Sequence, residues 1–534
     1  MPTTGPRPLR YLFRNRPEVH AYHVVVASVG TTCKGMGLLT AGLILWLVKT
    51  TRSRFSSGNA RLKNALFGST KEADYNALAM EAIKDHPMKP SRPRDTQWAE
   101  GLRGIAAVGV VSSHICLAFF QQLITPTTNG PDGPPMLFQR PIFRLVVQGQ
   151  SFVALFFILM GFVNSLKPLK QAQSNQQEEA LLSLARSALN RSARLVLPAA
   201  TVTCLAWTAC QLHLNETARK SDAYWLFHTS MGVIPDFGMA VRMLKDSLIA
   251  TWVWGDNPYD QPQWALKWLL IGSFWIFCIL LMTITTRPFF RICVLAVAYW
   301  YSWTSADWTL GTNIYFGIFL AQLHVLLSSS DTPSYFKRDN LTTRVVPLCT
   351  AFLGLYLMSY PSDFAQDAAW SRRLTHLADQ IAPPHGEMAR FWASVGGQIL
   401  CLSIYFSPIL QRLLSSRIPC YLGSVSFSMY LLHGPLMRSI LAMLVFGPAA
   451  LRDEYTVGSD GFLRYAIPPK WTLFITLPIF GIILLTCVHL WAKRVEPIFA
   501  RITKGLEDFA TGRYSKNKPN SPLQYPVKKT EVQS

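Results

Sequence analysis

Apolar residues along this chain fall in blocks of about twenty, separated by basic or proline-rich stretches. A helix of about twenty apolar residues crosses the hydrocarbon core of a bilayer, so the pattern predicts an all-α, polytopic transmembrane helical bundle. The sequence contains about ten candidate spans, at 104–124, 150–166, 193–213, 264–285, 289–306, 308–327, 345–360, 391–410, 421–447 and 471–492.

The same pattern divides the chain into five segments. An N-terminal apolar run at 35–48 is too short to span a bilayer alone, and extending it would enclose Lys34, so it is only a possible membrane segment. The stretch after it is basic, polar and rich in proline near its end, which is typical of a linker. We predict a basic tail at 1–22, the possible span at 23–49, a polar linker at 50–96, the membrane domain at 97–503 and a polar tail at 504–534.

The formal net charge is +21, yet only 15% of the residues are charged. Nucleic-acid binding is disfavoured, because the basic residues do not form a stripe with interleaved aromatic side chains. They concentrate instead in alternate loops, and lysine and arginine near span ends mark the cytosolic side of membrane proteins. The loops predicted to face the cytosol carry Lys167, Lys170, Arg186, Arg191, Arg194, Arg287, Arg291, Lys337, Arg338, Arg344, Arg412, Arg417, Lys493 and Arg494.

The loops on the opposite side hold the glycosylation sequon Asn215-Glu216-Thr217. We therefore predict a glycan on Asn215. The sequons at Asn190 and Asn340 fall on the cytosolic side and should stay unmodified. A multi-pass protein with this arrangement is expected in the endoplasmic reticulum or another endomembrane.

His114 is an ionisable residue inside an otherwise apolar span, and Arg103 precedes it by eleven residues. Eleven residues are close to three helical turns, so the two side chains share a helix face with a rise of roughly 16 Å between them. This spacing predicts Arg103 at the cytosolic interface and His114 near the middle of the bilayer. A neutral histidine can act as a general base, and an interfacial arginine suits a phosphate-bearing donor. The alternative is a histidine that hydrogen-bonds between helices beside an arginine that only marks topology.

His433 is a second ionisable residue inside a span, and it forms a polar stripe with Ser426 and Tyr430. Pro435 removes a backbone hydrogen bond and can kink the helix there. The stripe predicts that Tyr430 and His433 line a substrate cavity, or else that they hydrogen-bond between helices.

Arg191 and Arg194 precede another span and can hold phosphates or serve as a topology signal. The ten cysteines form no CxxC pair and most lie inside apolar runs, so they indicate neither a disulfide framework nor a metal site. The sequence also has no HExxH, GxSxG or Walker A motif, so metalloprotease, serine-hydrolase and nucleotide-driven transport functions are unsupported.

Four motifs, in order, resemble those of the membrane-bound acyltransferase 3 family, especially its fungal members. LRGIAA at 102–107 followed by His114 is similar to the family's Arg, ten residues, His pattern. The others are FFILMGF at 156–162, which resembles FFxxSGF, RSARLVLP at 191–198, which resembles RxxRLxxP, and LGSVSFSMYLLHGP at 422–435, which resembles LGxxSFxxYLxHxP.

The resemblance implies transfer of an acyl group, often acetyl, from acyl-CoA to a hydroxyl group. Acyl-CoA would be a co-substrate, with no bound cofactor, and the acceptor a small molecule such as a fungal secondary metabolite, or a glycan. Arg103 and His114 would be the catalytic pair, and Arg191 and Arg194 would contact the donor.

Two positions depart from the family pattern. Met160 replaces the serine of FFxxSGF, and Leu269, within QWALKWLLIGS at 263–273, replaces an acidic residue of LWTxPVEFxGS. If the acidic residue shapes the acceptor site in the family, its replacement by Leu269 implies an altered acceptor or a reduced or lost activity. A transporter of an acylated molecule and a membrane scaffold without chemistry are the alternatives, since buried histidines and a kinked helix also suit a transport path.

Overall fold

The computed structural model describes residues 96–329, 341–384, 386–458 and 461–510. The predicted basic tail, the possible N-terminal span and the linker up to residue 95 lie outside these residues, as does the C-terminal tail from 511 onwards.

The described part of the chain is mainly helical, with very little strand. Four 3₁₀ segments (Gln121–Leu123, Leu137–Gln139, Phe143–Val147 and Gln261–Gln263), one π-helical turn (Met437–Leu441) and one antiparallel strand pair, β1 (Thr456–Val457) with β2 (Leu463–Arg464), accompany the α-helices. The α-helices are α1 (Gln97–Phe119), α2 (Gly149–Gln173), α3 (Gln177–Gln211), α4 (Glu216–Arg219), α5 (Tyr224–Thr229), α6 (Phe237–Val253), α7 (Trp264–Thr283), α8 (Pro288–Thr304), α9 (Gly311–Ser329), α10 (Leu341–Met358), α11 (Ala369–Ile381), α12 (Met388–Phe406), α13 (Pro408–Leu414), α14 (Arg417–Ser424), α15 (Ser426–Leu436), α16 (Ala442–Leu451), α17 (Lys470–Arg494) and α18 (Glu496–Ala510).

Each of the ten predicted spans overlaps a helix, but not every helix is long and apolar enough to cross a bilayer. Within the described residues seven helical segments meet that requirement, and α12 with α13, bent by 100°, forms an eighth if the two are one span. The helices at the predicted spans 289–306 and 345–360, α8 and α10, do not meet it. The membrane helical bundle is therefore confirmed, and the count of ten spans is not.

Side chains cap the starts of α6 and α13. The Asp236 side chain accepts hydrogen bonds from the backbone N–H groups of Gly238 and Met239 at 3.2 and 3.1 Å, which satisfies free donors at the start of α6. The Ser407 hydroxyl accepts from the backbone N–H of Leu410 at the start of α13, where Pro408 occupies the first turn.

Two helix boundaries differ from the sequence prediction. Helix α1 begins at Gln97, seven residues before the predicted span, because Trp98, Ala99 and Leu102 are buried in the core. Helix α18 continues to Ala510, through the first seven residues of the predicted polar tail, which begins at residue 504. This helix packs on α3, where the Asn190 side-chain amide donates to Glu507 at 3.1 Å.

Helix α1 lies between the two largest apolar clusters of the molecule. Its residues up to Ala106 belong to one cluster, with α2, α7 and α9, and those from Ala107 belong to the other, with α5, α15 and α17. Helix α14 approaches α1 so closely that a Cβ added at Gly104 would lie 2.4 Å from the backbone nitrogen of Gly423. This backbone contact, typical of small residues between membrane helices, fixes α1 against the α14–α15 segment.

Several contacts join segments that the sequence predicted on the same side of the membrane. Among the segments predicted to be luminal, Asp132 pairs with Arg372 at 2.7 Å, and Ser221 forms a β-bridge with Tyr465. Among those predicted to be cytosolic, Arg186 of α3 lies 3.9 Å from Glu507 of α18. Which side faces the cytosol stays a prediction.

Candidate active site

The side chains of Arg103 and His114 both contact the α14–α15 segment. Arg103 Nη2 donates to the carbonyl of Gly423 at 2.8 Å, and His114 Nδ1 lies 3.0 Å from His433 Nε2. Because both partners lie on one neighbouring segment, the two side chains share a face of α1, which confirms that prediction. His114 is five residues before the end of α1, roughly 8 Å along its axis, so it lies in the C-terminal half of the helix. Its depth in the bilayer stays a prediction.

The hydrogen bonds of His433 determine which nitrogen of His114 is available. His433 Nδ1 lies 2.7 Å from the backbone carbonyl of Tyr430. A carbonyl only accepts, so in the neutral ring Nδ1 carries the hydrogen and Nε2 carries a lone pair. That lone pair accepts the Nδ1–H of His114 at 3.0 Å. His114 Nε2 is left as an acceptor, which is the form a general base needs.

Trp225 of α5 forms the third side of this histidine pair. Its ring centroid is 4.7 Å from that of His114, while the two imidazole centroids are 5.0 Å apart and nearly parallel. Trp225 is 6% exposed and His433 is fully buried. The imidazole of His114 is therefore held between two rings, and its orientation is restricted by both.

A buried ion pair lies next to these rings. Arg438 Nη2 donates to Asp260 Oδ1 at 2.7 Å and to the backbone carbonyl of Tyr259 at 2.8 Å, and both charged side chains are 1% exposed. Burial raises the pKa of the Asp260 carboxyl, and the interactions with Arg438 and Gln263 oppose that rise. The Arg438 guanidinium also lies 5.7 Å from the Trp225 ring centroid, within cation–π range.

Sequence reasoning missed Trp225, Asp260 and Arg438. Arg438 offered a signal, because a basic residue inside the predicted span 421–447 is rare and usually functional. It lies in the π-helical turn Met437–Leu441, and such turns occur frequently at functional sites. Trp225 and Asp260 lie in segments without a pattern of their own, so their position became visible only in the fold.

The three predicted donor-side arginines lie together near the N-terminal half of α1. Arg191 interacts electrostatically with both Arg103 and Arg194, and its Nε donates to Ser273 Oγ at 3.3 Å. Arg194 is exposed and Arg191 is half-buried. Three guanidinium groups in one place repel one another, so the arrangement suits an anionic partner such as a phosphate.

The two departures from the family pattern lie at one place in the fold. Ser273 Oγ donates to the carbonyl of Leu269 at 2.7 Å and also lies 3.5 Å from Met160 Sδ. Leu269 packs against both large apolar clusters, so it lies where the cluster around Met160 meets the cluster around Trp225. This part of the interior is therefore more apolar than a serine and an acidic residue would make it.

Two further predicted site residues are engaged or buried. The Tyr430 hydroxyl donates to the carbonyl of Pro262, so it is occupied within the protein, and substrate contact by Tyr430 stays a prediction. Asn215 is 7% exposed, although a glycan is bulky and needs an exposed position. Glycosylation of Asn215 also stays a prediction.

The comparison with known families agrees with these motifs. The acyltransferase 3 family model, described as an acyltransferase domain, matches residues 96–492. The chain belongs to this family. It is an acyltransferase, as the sequence predicted, and its helices make it an integral membrane member of the family.

Fungal proteins are among its relatives. The chain is 26% identical to O-acetyltransferase PaAT-1 of Phomopsis amygdali, over 80% of this chain and 88% of that protein. It is 23% identical to Acyltransferase R4 of a Phoma species (71% and 89%) and 22% identical to Acyltransferase clz18 of Cochliobolus lunatus (68% and 85%). No solved structure matches the chain significantly.

Proposed function

We propose that this acyltransferase moves an acetyl group from acetyl-CoA to the hydroxyl of a small, largely apolar alcohol, with His114 Nε2 as the general base. The observation that carries the proposal is the hydrogen-bond chain from the Tyr430 carbonyl through His433 to His114 Nδ1. It leaves the Nε2 lone pair of His114 to accept a proton.

The reaction balances with this single base. His114 Nε2 takes the proton of the acceptor hydroxyl while the hydroxyl oxygen attacks the thioester carbonyl. The tetrahedral intermediate collapses, the C–S bond breaks, and the CoA thiolate takes the proton back from Nε2. An ester and free CoA result, His114 is regenerated, and no acyl-enzyme is needed because the thiolate is a good leaving group.

Three neighbouring arginine residues support a CoA donor. Arg103, Arg191 and Arg194 lie toward the end of α1 that the charge pattern assigns to the cytosol. CoA carries phosphates and is a cytosolic metabolite, so its phosphates would bind there while its thioester reaches toward His114. The protein would then reside in the endoplasmic reticulum or another endomembrane, with the arginines facing the cytosol.

Acetyl as the acyl group is supported by the relative that is named an O-acetyltransferase. An apolar acceptor, such as a terpenoid or polyketide alcohol of fungal secondary metabolism, is supported by Met160 and Leu269, which add apolar surface next to Ser273, the residue that Arg191 contacts. A hydrophobic surface at this position favours burial of an apolar ring system over a sugar.

Purified protein in lipid nanodiscs, supplied with acetyl-CoA, tests the function. We expect ester formation and matching release of CoA with geraniol or a polycyclic terpenoid alcohol, and little with N-acetylglucosamine. Product is identified by mass spectrometry and thiol release by a chromogenic disulfide. Transfer to the sugar alone would contradict the acceptor class, and no release with any alcohol or sugar would contradict the function.

A further inference from the structure

We propose that the buried Asp260–Arg438 pair is a positioning unit that holds the His114 imidazole through Trp225 and the His433 backbone. The inference rests on the proposed function, because it assigns these residues a part in the same reaction. Asp260, Arg438 and Trp225 lie outside the sequence motifs, and none of them takes up the proton of the acceptor hydroxyl.

The first connection runs through the Trp225 ring. Arg438 lies 5.7 Å from the ring centroid of Trp225, and that ring lies 4.7 Å from the ring of His114. A cation near an indole restricts the position of the ring, and the ring in turn restricts the neighbouring imidazole. Arg438 also lies close enough to His114 and His433 to interact with both electrostatically.

The second connection runs through the backbone of α15. A Cβ added at Gly434 would lie 2.4 Å from Asp260 Oδ1 and 3.3 Å from Arg438 Nη2. The ion pair therefore touches the backbone directly after His433. Because Asp260 immediately precedes the 3₁₀ turn before α7, the pair joins that turn to the helix that carries His433.

Both charged groups are fixed by several bonds. Arg438 Nη2 is shared between Asp260 and the carbonyl of Tyr259, and Gln263 Nε2 donates to the second carboxylate oxygen of Asp260 at 3.0 Å. Replacing a buried ion pair by apolar residues of similar volume is often neutral for stability. Stability alone is therefore a weak explanation for the pair. Holding the rings of Trp225 and His433 in fixed orientations is a better one, because it needs this set of bonds.

The decisive test compares single and double replacements of the pair. Arg438→Met and Asp260→Leu each leave one buried charge without a partner, so each single variant is expected to lower the melting temperature. The double variant removes both charges and is expected to regain much of that loss. We expect the double variant to fold but to turn over at least tenfold more slowly than the wild type, with an unchanged KM for acetyl-CoA.

Substitutions of Trp225 test the connecting ring. Trp225→Phe keeps an aromatic face beside His114 and should keep more of the kcat than Trp225→Leu. The matched control is Arg291→Met, which removes another buried arginine, bonded to Gln322 and the Thr283 carbonyl. This control should lower the melting temperature while the kcat of the folded protein stays within about twofold of the wild type.

The two proposals fail in different ways. If the Asp260→Leu/Arg438→Met variant folds and shows wild-type kcat, the pair is structural and the inference is wrong, although the function stands. If the double variant does not fold, the two Trp225 variants test the inference instead. Equal kcat values for Trp225→Phe and Trp225→Leu would also overturn it. If wild-type protein transfers no acetyl group, the proposed function itself fails.

Discussion

The hydrogen bond between His114 and His433 joins two residues that are 319 positions apart in the chain. Sequence alone identified both histidines, because an ionisable side chain in an apolar span is unusual. It did not identify their contact, nor the ring of Trp225, because such pairs form only when distant helices pack. The tautomer of His114 therefore became visible only in the fold, whereas His114 and Arg103 could be selected from the sequence.

Substitution of His433 tests whether this hydrogen bond sets the tautomer of His114. His433→Phe removes the acceptor for the Nδ1–H of His114, so kcat should fall by about 10²- to 10⁴-fold, as when a base loses the partner that sets its tautomer. His433→Gln can place an amide oxygen near the same position and should recover part of the rate. Steady-state kinetics with acetyl-CoA measures both. Equal rates for the two variants would argue against control of the tautomer by His433.

Arg191 tests the donor side at the same scale. A charge-assisted contact to phosphate contributes about 1.5–3 kcal/mol, which corresponds to roughly 10- to 100-fold in binding. We expect the wild type to prefer acetyl-CoA to S-acetyl-N-acetylcysteamine, which has no phosphate, and Arg191→Met to lose most of that preference by raising KM for acetyl-CoA alone. An unchanged preference in the variant would remove Arg191 from the donor site.

The contact between α1 and α14 positions both Arg103 and His114 against the α14–α15 segment. The apolar pattern predicted these two segments as membrane elements, but their adjacency depends on Gly104 and Gly423, which the hydrophobic pattern does not register. The start of α1 at Gln97 was also not predicted, because the residues that extend it are apolar only in part and are held by burial of Trp98.

Glycine substitutions test this helix contact. Gly104→Ala would place a methyl group 2.4 Å from the Gly423 backbone nitrogen, so the helices must separate. We expect a loss of about 1–3 kcal/mol in stability and a lower kcat, because Arg103 and His114 would both lose their partners on α14 and α15. Gly481→Ala is the matched control, since nothing lies within 4 Å of its added Cβ. Thermal unfolding in detergent that gave equal melting temperatures for the two variants would contradict the close contact.

For the whole molecule, the sequence predicted the fold class and the family but not the number of spans. A membrane bundle of an acyltransferase family followed from repeated apolar blocks and four ordered motifs. The number of spans did not. Apolar runs in the sequence predicted a span at α8 and at α10, but neither helix is long and apolar enough to cross a bilayer. The helical start of the C-terminal tail was not predicted either, and there α18 contacts α3 through Asn190 and Glu507.

Orientation in the membrane is tested by labelling from one side. In a cysteine-free background, Arg412→Cys should react with an impermeant maleimide in sealed microsomes, because its loop is predicted to be cytosolic. Glu454→Cys, which is also exposed, should react only after the membrane is permeabilised. The reverse pattern would place Arg103, Arg191 and Arg194 on the luminal side and exclude binding of cytosolic CoA by them.

The rate of acetyl transfer by His114→Ala, at saturating acetyl-CoA and acceptor, tests the central claim most directly. We predict a fall in kcat of about 10²- to 10⁴-fold with KM for acetyl-CoA nearly unchanged, because a base acts on the chemical step. His489→Ala, which removes an exposed histidine bonded only to Tyr421 among the described residues, should keep the wild-type rate. A folded His114→Ala protein with wild-type kcat would contradict the account.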